Sequence, residues 1–326
     1  MLFSRRRTRE TTEAISASDW KIDMNTQTTT AHEAASLRSL KSRDVKRIDS
    51  PELQERSAIH RARVLIEPGD WAETDPFLLM AEDWYGRGAF DSHPHRGFET
   101  VTYVIEGTNS HFDNRGNKGL IGAGEALWLT AGRGLVHNEI PVGDKLIHTL
   151  QLWVNLPRAD KLVEASYQEL TAARTRKRNL PGAEVTVFSG TSGDVAAPTR
   201  NHAKVTMVEV RLEPHSAFEQ ELPADSNCFV VVLDGEGLIG SSSAPVRPGQ
   251  VAWLVREATE SKVRVESGDR PFRIILFAGT PLREPVTAQG PFVMNTHEEI
   301  QEAFADYRRD GARFGLGRSP QIDSAP

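Results

Sequence analysis

The stretch TYVIEG (Thr102–Gly107), followed by GAGEALWL (Gly122–Leu129), returns later in the chain as VVVLDG (Val230–Gly235), followed by RPGQVAWL (Arg247–Leu254). The anchor pairs Gly107/Gly235, Gly124/Gly249 and Trp128/Trp253 are separated by 128, 125 and 125 residues. Near-constant offsets across three anchors mark a duplication, so the chain is expected to fold as two copies of one domain. The copied segments are strand-like. ETVTYVIE, EALWLTA, LIHTLQLWVNL, KVTMVEVRL, CFVVVLDG, QVAWLV and PFRIILFAG are rich in Val, Ile, Thr and aromatics and are broken by Gly and Pro. That texture indicates an all-β sandwich or barrel, and 326 residues suffice for two such domains with real cores. Gly97, Gly107, Gly124, Gly132 and Gly134 read as turn residues, because no phosphate-binding pattern surrounds them.

The organisation expected from these signals is a leader over residues 1–44, an N-terminal barrel over 45–172, a C-terminal barrel over 173–285 and a closing segment over 286–326. MLFSRRRTRE is followed by polar TTEAISASDW rather than an apolar export core, so the leader is read as disordered and Met24 as the expected true start. The polar, basic TAARTRKRNLPGA (Thr171–Ala183) is the expected linker. Near the end, Thr296 and Glu299 form a capping box. Ile300, Ala303, Phe304 and Tyr307 then share one face, predicting a helix over about 297–309 that packs on a barrel. The first 47 residues hold ten Lys or Arg against six Asp or Glu, which leaves the remaining chain at −10 of a total of −6. An acidic body is a poor partner for nucleic acid. Apolar runs are too short to span a bilayer. The lone Cys228 excludes an internal disulfide, fits a reducing compartment and, inside an apolar run, reads as an inert buried thiol. A cytoplasmic protein is expected.

The chemistry concentrates in DSHPHRGFETVTYVIEG (Asp91–Gly107). Pro94 favours an extended backbone, and in a strand the side chains of His93 and His95 then project to the same side. GRGLVHNEIP adds a second i, i+2 pair, His137 and Glu139. Two such pairs on neighbouring strands can converge on one metal ion. His111 reads as a partly exposed loop residue and His148 as a packed strand residue. His32, His60, His202, His215 and His297 have no ligand-type neighbour two residues away. In the second copy, Glu221 falls opposite His93, Pro223 opposite His95 and Lys262 opposite His137. That copy is expected to be a structural barrel without a metal.

DSHPHRGFETVTYVIEG, NKGLIGAGEALWLTAGRGLVHNE, LQLWVNLP, GPFVMNTHEEIQEAF and the closing RFG together resemble the pirin family of the cupin superfamily, over about Val45 to Gly317. The resemblance implies two tandem antiparallel cupin β-barrels, a bicupin, with one Fe(2+) in the N-terminal barrel. Its ligands carry over onto His93, His95, His137 and Glu139. Most cupins take their carboxylate shortly after the histidine pair, which would be Glu99; the pirin pattern takes Glu139, and Glu99 is then expected to orient a histidine from behind. Four protein donors would saturate tetrahedral zinc but leave two positions open on a six-coordinate ion. The activity implied is that of a quercetin 2,3-dioxygenase, acting with dioxygen on a flavonol or similar small-molecule chelator. The alternative implied is a metal- or redox-dependent regulator that binds another protein.

Overall fold

The structure, a computed structural model, describes residues 39–317. Strands β1 (Lys41–Ser42) and β2 (Val45–Asp49) come first. β3 (Gln54–Ser57), β4 (His60–Ile66), β5 (Phe77–Tyr85), β6 (His93–His95), β7 (Phe98–Glu106), β8 (Thr108–Asp113), β9 (Lys118–Gly122), β10 (Ala126–Thr130), β11 (Leu135–Pro141), β12 (Ile147–Asn155) and β13 (Ser166–Leu170) build the N-terminal barrel. They form a seven-stranded sheet, ordered β13-β10-β7-β12-β5-β4-β3, and a four-stranded sheet, ordered β6-β11-β8-β9.

The second half repeats this plan. β14 (Arg176–Leu180), β15 (Ala183–Ser189), the short hairpin β16 (Thr191–Ser192) and β17 (Val195–Ala196), β18 (Val205–Leu212), β19 (Ala217–Leu222), β20 (Asn227–Asp234), β21 (Gly237–Ile239), β22 (Ala244–Val246), β23 (Val251–Leu254), β24 (Ser261–Ser267) and β25 (Phe272–Gly279) follow in the chain. Their large sheet runs β2-β23-β20-β25-β18-β15-β14, so each strand has a counterpart in the first sheet and β2 stands where β13 stands. The small sheets match in register as well: His93 pairs with His137 across β6 and β11, and Glu221 pairs with Lys262 across β19 and β24. Part of the expected linker is itself structured, since Arg176–Leu180 is the charged edge strand of the second sheet.

One expectation is corrected. Positions 1–38 of the expected leader lie outside the described residues, but its last residues are built into the C-terminal barrel. β1 runs parallel to β24, and β2, counted from the sequence with the N-terminal barrel, pairs with β23. Between them Arg43 is fully buried. Its guanidinium donates to Ser261 Oγ, to the carbonyls of Ser226 and Pro223, to Ser226 Oγ and to Cys228 Sγ. A charge this deep is tolerated because every donor group has a partner. The Cys228 thiol is buried as expected, and burial pushes its pKa up, against the pull of Arg43.

Alternation along the central strands explains how the barrels meet. Val101 and Tyr103 on β7 point into a core shared with Phe229 and Val231 on β20, Trp253 and Phe277. Full burial of each such side chain contributes roughly 1.5–3 kcal/mol. The intervening Cys228, Val230 and Val232 point into the second barrel and fill it with Val185, Val263 and Ile274. On β7, the intervening Thr102 points instead toward polar groups inside the first barrel.

The closing segment returns to the N-terminal barrel. β26 (Thr287–Gln289) and β27 (Phe292–Met294) form a hairpin, followed by the helix His297–Asp310, which carries the expected capping box. Phe292, Met294, Ile300 and Phe314 pack on Val136 of β11. The turn after His95 is fitted to this segment: Gly97 has φ +86, and a Cβ there would sit 1.9 Å from the Val293 carbonyl oxygen. Buried Lys161 donates to the carbonyls of Gly97 and Val293 and to Asn155, and burial pulls its pKa down to about 7.

Candidate metal centre

β6 and β11 pair antiparallel with His93 directly opposite His137, and His95 lies on the same side of β6 as His93. The result is one convergent set: donor atoms of His93, His95 and His137 all lie within 4.8 Å of one another. His137 Nε2 is 3.1 Å from His93 Nε2. Two nitrogens bound at right angles to one ion, each at about 2.1 Å, stand about 3 Å apart, so the pair already has the spacing of adjacent ligands. The ring of His93 is held by Nδ1, which lies 2.8 Å from the Asp91 carbonyl and donates to it, turning the Nε2 lone pair inward. Burial holds the pKa of His95 and of His137 well below the ordinary imidazole value, and the neighbouring imidazoles add to the effect. Both rings are therefore neutral at pH 7, the state a metal requires.

The fourth expected residue is close but turned. Glu139 is buried beside the histidines, and its Oε1 accepts from Thr102 Oγ1 at 2.9 Å and from Asn109 Nδ2 at 3.0 Å. It does not join the three imidazoles within their 4.8 Å set. Glu99 departs from the expectation of a group behind a histidine. Phe98 faces His95, ring centroids 5.0 Å apart, so its neighbour Glu99 projects from the other face of β7, the face of Val101 and Tyr103. There Glu99 is fully buried, accepts from Thr130 and has its pKa raised to about 6 by burial. His111, expected as a partly exposed loop residue, differs from that expectation. It is a buried residue of β8, with Nδ1 3.5 Å from His137 Nδ1 and Nε2 3.7 Å from Asp113 Oδ2, and it stacks on Tyr167. The signal available was its own i, i+2 spacing to Asp113.

His93 and His95 open onto a cavity of about 230 Å³. Alternate residues of β5 (Leu79, Ala81, Asp83 and Tyr85) form one wall, with Thr149, Gln151 and Trp153 of β12 beside them. Phe90 stands at the mouth, 37% exposed and in edge contact with both His60 and Tyr85. The arrangement can bind a divalent cation through neutral nitrogens and present it to a flat, partly apolar molecule. His148 is not part of it. That ring faces away, stacked on Trp84 and bonded to Glu82. The positions opposite the histidines in the second barrel hold no such set, and Lys262 there pairs with Glu219 at 3.1 Å.

The family model described as Pirin matches residues 64–154, and that described as Pirin C-terminal cupin domain matches residues 207–315. A pirin-like protein of Solanum lycopersicum is 40% identical over 76% of this chain and 84% of its own length. The Homo sapiens protein named Pirin is 39% identical over 79% of this chain and 89% of its own. A solved structure from Geobacillus kaustophilus superposes with a TM-score of 0.74 at 43% identity, covering 76% of this chain and all of that one. A quercetin 2,3-dioxygenase from Acinetobacter baumannii superposes with a TM-score of 0.72 at 27% identity, covering 82% of this chain and 97% of that one. A bacterial pirin from Escherichia coli in complex with nickel(II), 19% identical over 72% of this chain, shares the fold with a TM-score of 0.57. With two matched barrels and relatives alike along most of their length, this chain belongs to the pirin family of the cupin superfamily.

Proposed function

We propose that the chain is a mononuclear iron protein whose ligands are His93, His95, His137 and Glu139, and that it is a cytoplasmic oxygenase of the quercetin 2,3-dioxygenase type. Its substrates are dioxygen and a flavonol or similar chelating molecule. The observation that carries this reading is the set of three imidazoles, two of them held neutral by burial, of which His93 and His95 line a largely apolar cavity. Iron(II), when bound, would leave two positions open, enough for a chelating ligand or for dioxygen. Glu139 has Oε2 available for the ion while Thr102 and Asn109 hold Oε1. Leu79, Trp153 and Phe90 receive the rings of the ligand and keep water from them. At about 230 Å³ the cavity is smaller than the ~300–1,000 Å³ usual for ligand pockets, so the chelating ring enters and the remainder lies across the mouth at Phe90. The quercetin 2,3-dioxygenase relative favours this substrate class, and the nickel complex of the bacterial pirin favours a site for divalent ions.

The test is dioxygen uptake. Protein loaded anaerobically with iron(II) and mixed with quercetin in air is expected to consume dioxygen, and His137→Ala to abolish the uptake. No uptake by the loaded protein, together with capture of one stoichiometric protein partner by the iron(III) form alone, would instead support the regulatory reading.

A further inference from the structure

The cavity has two carboxylates in its lining, and they are placed differently. Glu139 sits with the histidines and is occupied by Thr102 and Asn109. Asp83 stands on the β5 wall between Ala81 and Tyr85, 7% exposed, with His60 Nε2 2.8 Å from its Oδ1 as the described hydrogen-bond partner of its side chain. His60 reaches it from β4, where it pairs with Tyr85 and so shares the cavity side of the sheet. The ring of His60 packs on Phe90 at the mouth, and its side chain is 17% exposed, so the pair joins the cavity to solvent. A carboxylate buried in such a wall, hydrogen-bonded to an imidazole that reaches water, is built to exchange a proton with whatever fills the cavity.

We propose that Asp83 is the proton acceptor for the chelating hydroxyl of the ligand, with His60 as the residue that positions it. This rests on the reading of the cavity as the site of a chelating organic molecule. As the ligand docks, its O–H bond breaks, the electron pair stays on the ligand oxygen, and the proton passes to the Asp83–His60 pair, whose net charge goes from −1 to 0. Burial raises the pKa of Asp83 above the ordinary carboxylate value, and Glu82, on the opposite face of β5, adds to it, while His60 on β4 and Arg56 on β3 work against the rise. Tyr85 and Glu139 line the same cavity.

The test uses iron(II)-loaded protein under anaerobic conditions with quercetin as the probe. The absorbance of the ionised flavonol is followed against pH in wild type, Asp83→Asn and His60→Gln, with iron per chain and thermal unfolding measured on each. The expected result is that Asp83→Asn keeps its iron and fold but ionises the bound flavonol only at a pH higher by about one unit or more, with capture at neutral pH slowed about 100-fold. His60→Gln, which still donates to Asp83, should show a smaller shift in the same direction. A wild-type pH profile in Asp83→Asn would overturn the proposal and leave the cavity reading intact. Failure of the wild-type protein to bind quercetin at all would overturn both.

Discussion

The two barrels have the same strand order and the same register between their small-sheet strands, yet one gathers three imidazoles and the other an arginine. In the first, β6 and β11 bring His93, His95 and His137 together beside a cavity that His93 and His95 line. In the second, the equivalent stretch supplies the Pro223 carbonyl and Ser261, and Arg43 from the start of the chain donates to both. The interior around it is packed with aliphatic side chains. The same place in the fold thus accommodates either a buried arginine fully hydrogen-bonded by its surroundings or a cluster of neutral imidazoles.

The largest expected effect breaks the second barrel. Arg43→Met removes five hydrogen bonds and leaves Ser226, Ser261 and two carbonyls short of partners. A loss of about 3 kcal/mol in denaturant unfolding is expected, with iron per folded chain unchanged. A loss below about 0.5 kcal/mol would show that the guanidinium is not what closes this barrel. Next comes the turn that carries the histidine pair. Gly97→Ala puts a Cβ onto the Val293 carbonyl at a positive φ, so a loss of about 2 kcal/mol or more and detachment of the closing segment are expected, the latter read by proteolysis after residue 286.

Much of this was legible in the sequence where the pattern is local. The strands and the same-side histidines of HPH follow from short spacings, as does the capping box at Thr296, and the duplication shows because short segments are copied nearly intact. What was not legible is set by pairing over long distances. Arg43 lies 183 residues from Ser226 and 218 from Ser261, and nothing in KSRDVKRID marks one arginine for burial. Asp83 and His60 become a pair only once β4 lies beside β5. The direction of Glu99 depended on whether the strand is regular from Phe98, which the turn at Gly97 left open.

The pH response should also separate the barrels. Burial holds the pKa values of His95 and His137 below the unfolded value of about 6.5, so below pH 6.5 the unfolded chain binds more protons than the folded one. Metal-free protein is therefore expected to lose stability as pH falls through that window, and these two groups to contribute no pH dependence above it. Urea midpoints from pH 8 to pH 5 should show this, with a smaller drop in His137→Gln. An unchanged drop in that variant would assign the response elsewhere. The smallest effect belongs to Lys262→Met in the second barrel, whose pair with Glu219 is partly exposed. Less than about 1 kcal/mol is expected, and a larger loss would mean that the ion pair shares the role given to Arg43.

The proposed centre is a single metal site, in the first barrel only, completed by Glu139 and not by Glu99. Iron per chain after anaerobic loading and desalting tests it most directly. About one equivalent is expected in wild type and in Glu99→Gln, and little or none in Glu139→Gln and in the His93→Ala, His137→Ala double variant, with each variant folded by thermal unfolding. Two tightly held equivalents in wild type, iron retained in the double variant, or iron lost from Glu99→Gln but kept by Glu139→Gln would contradict it.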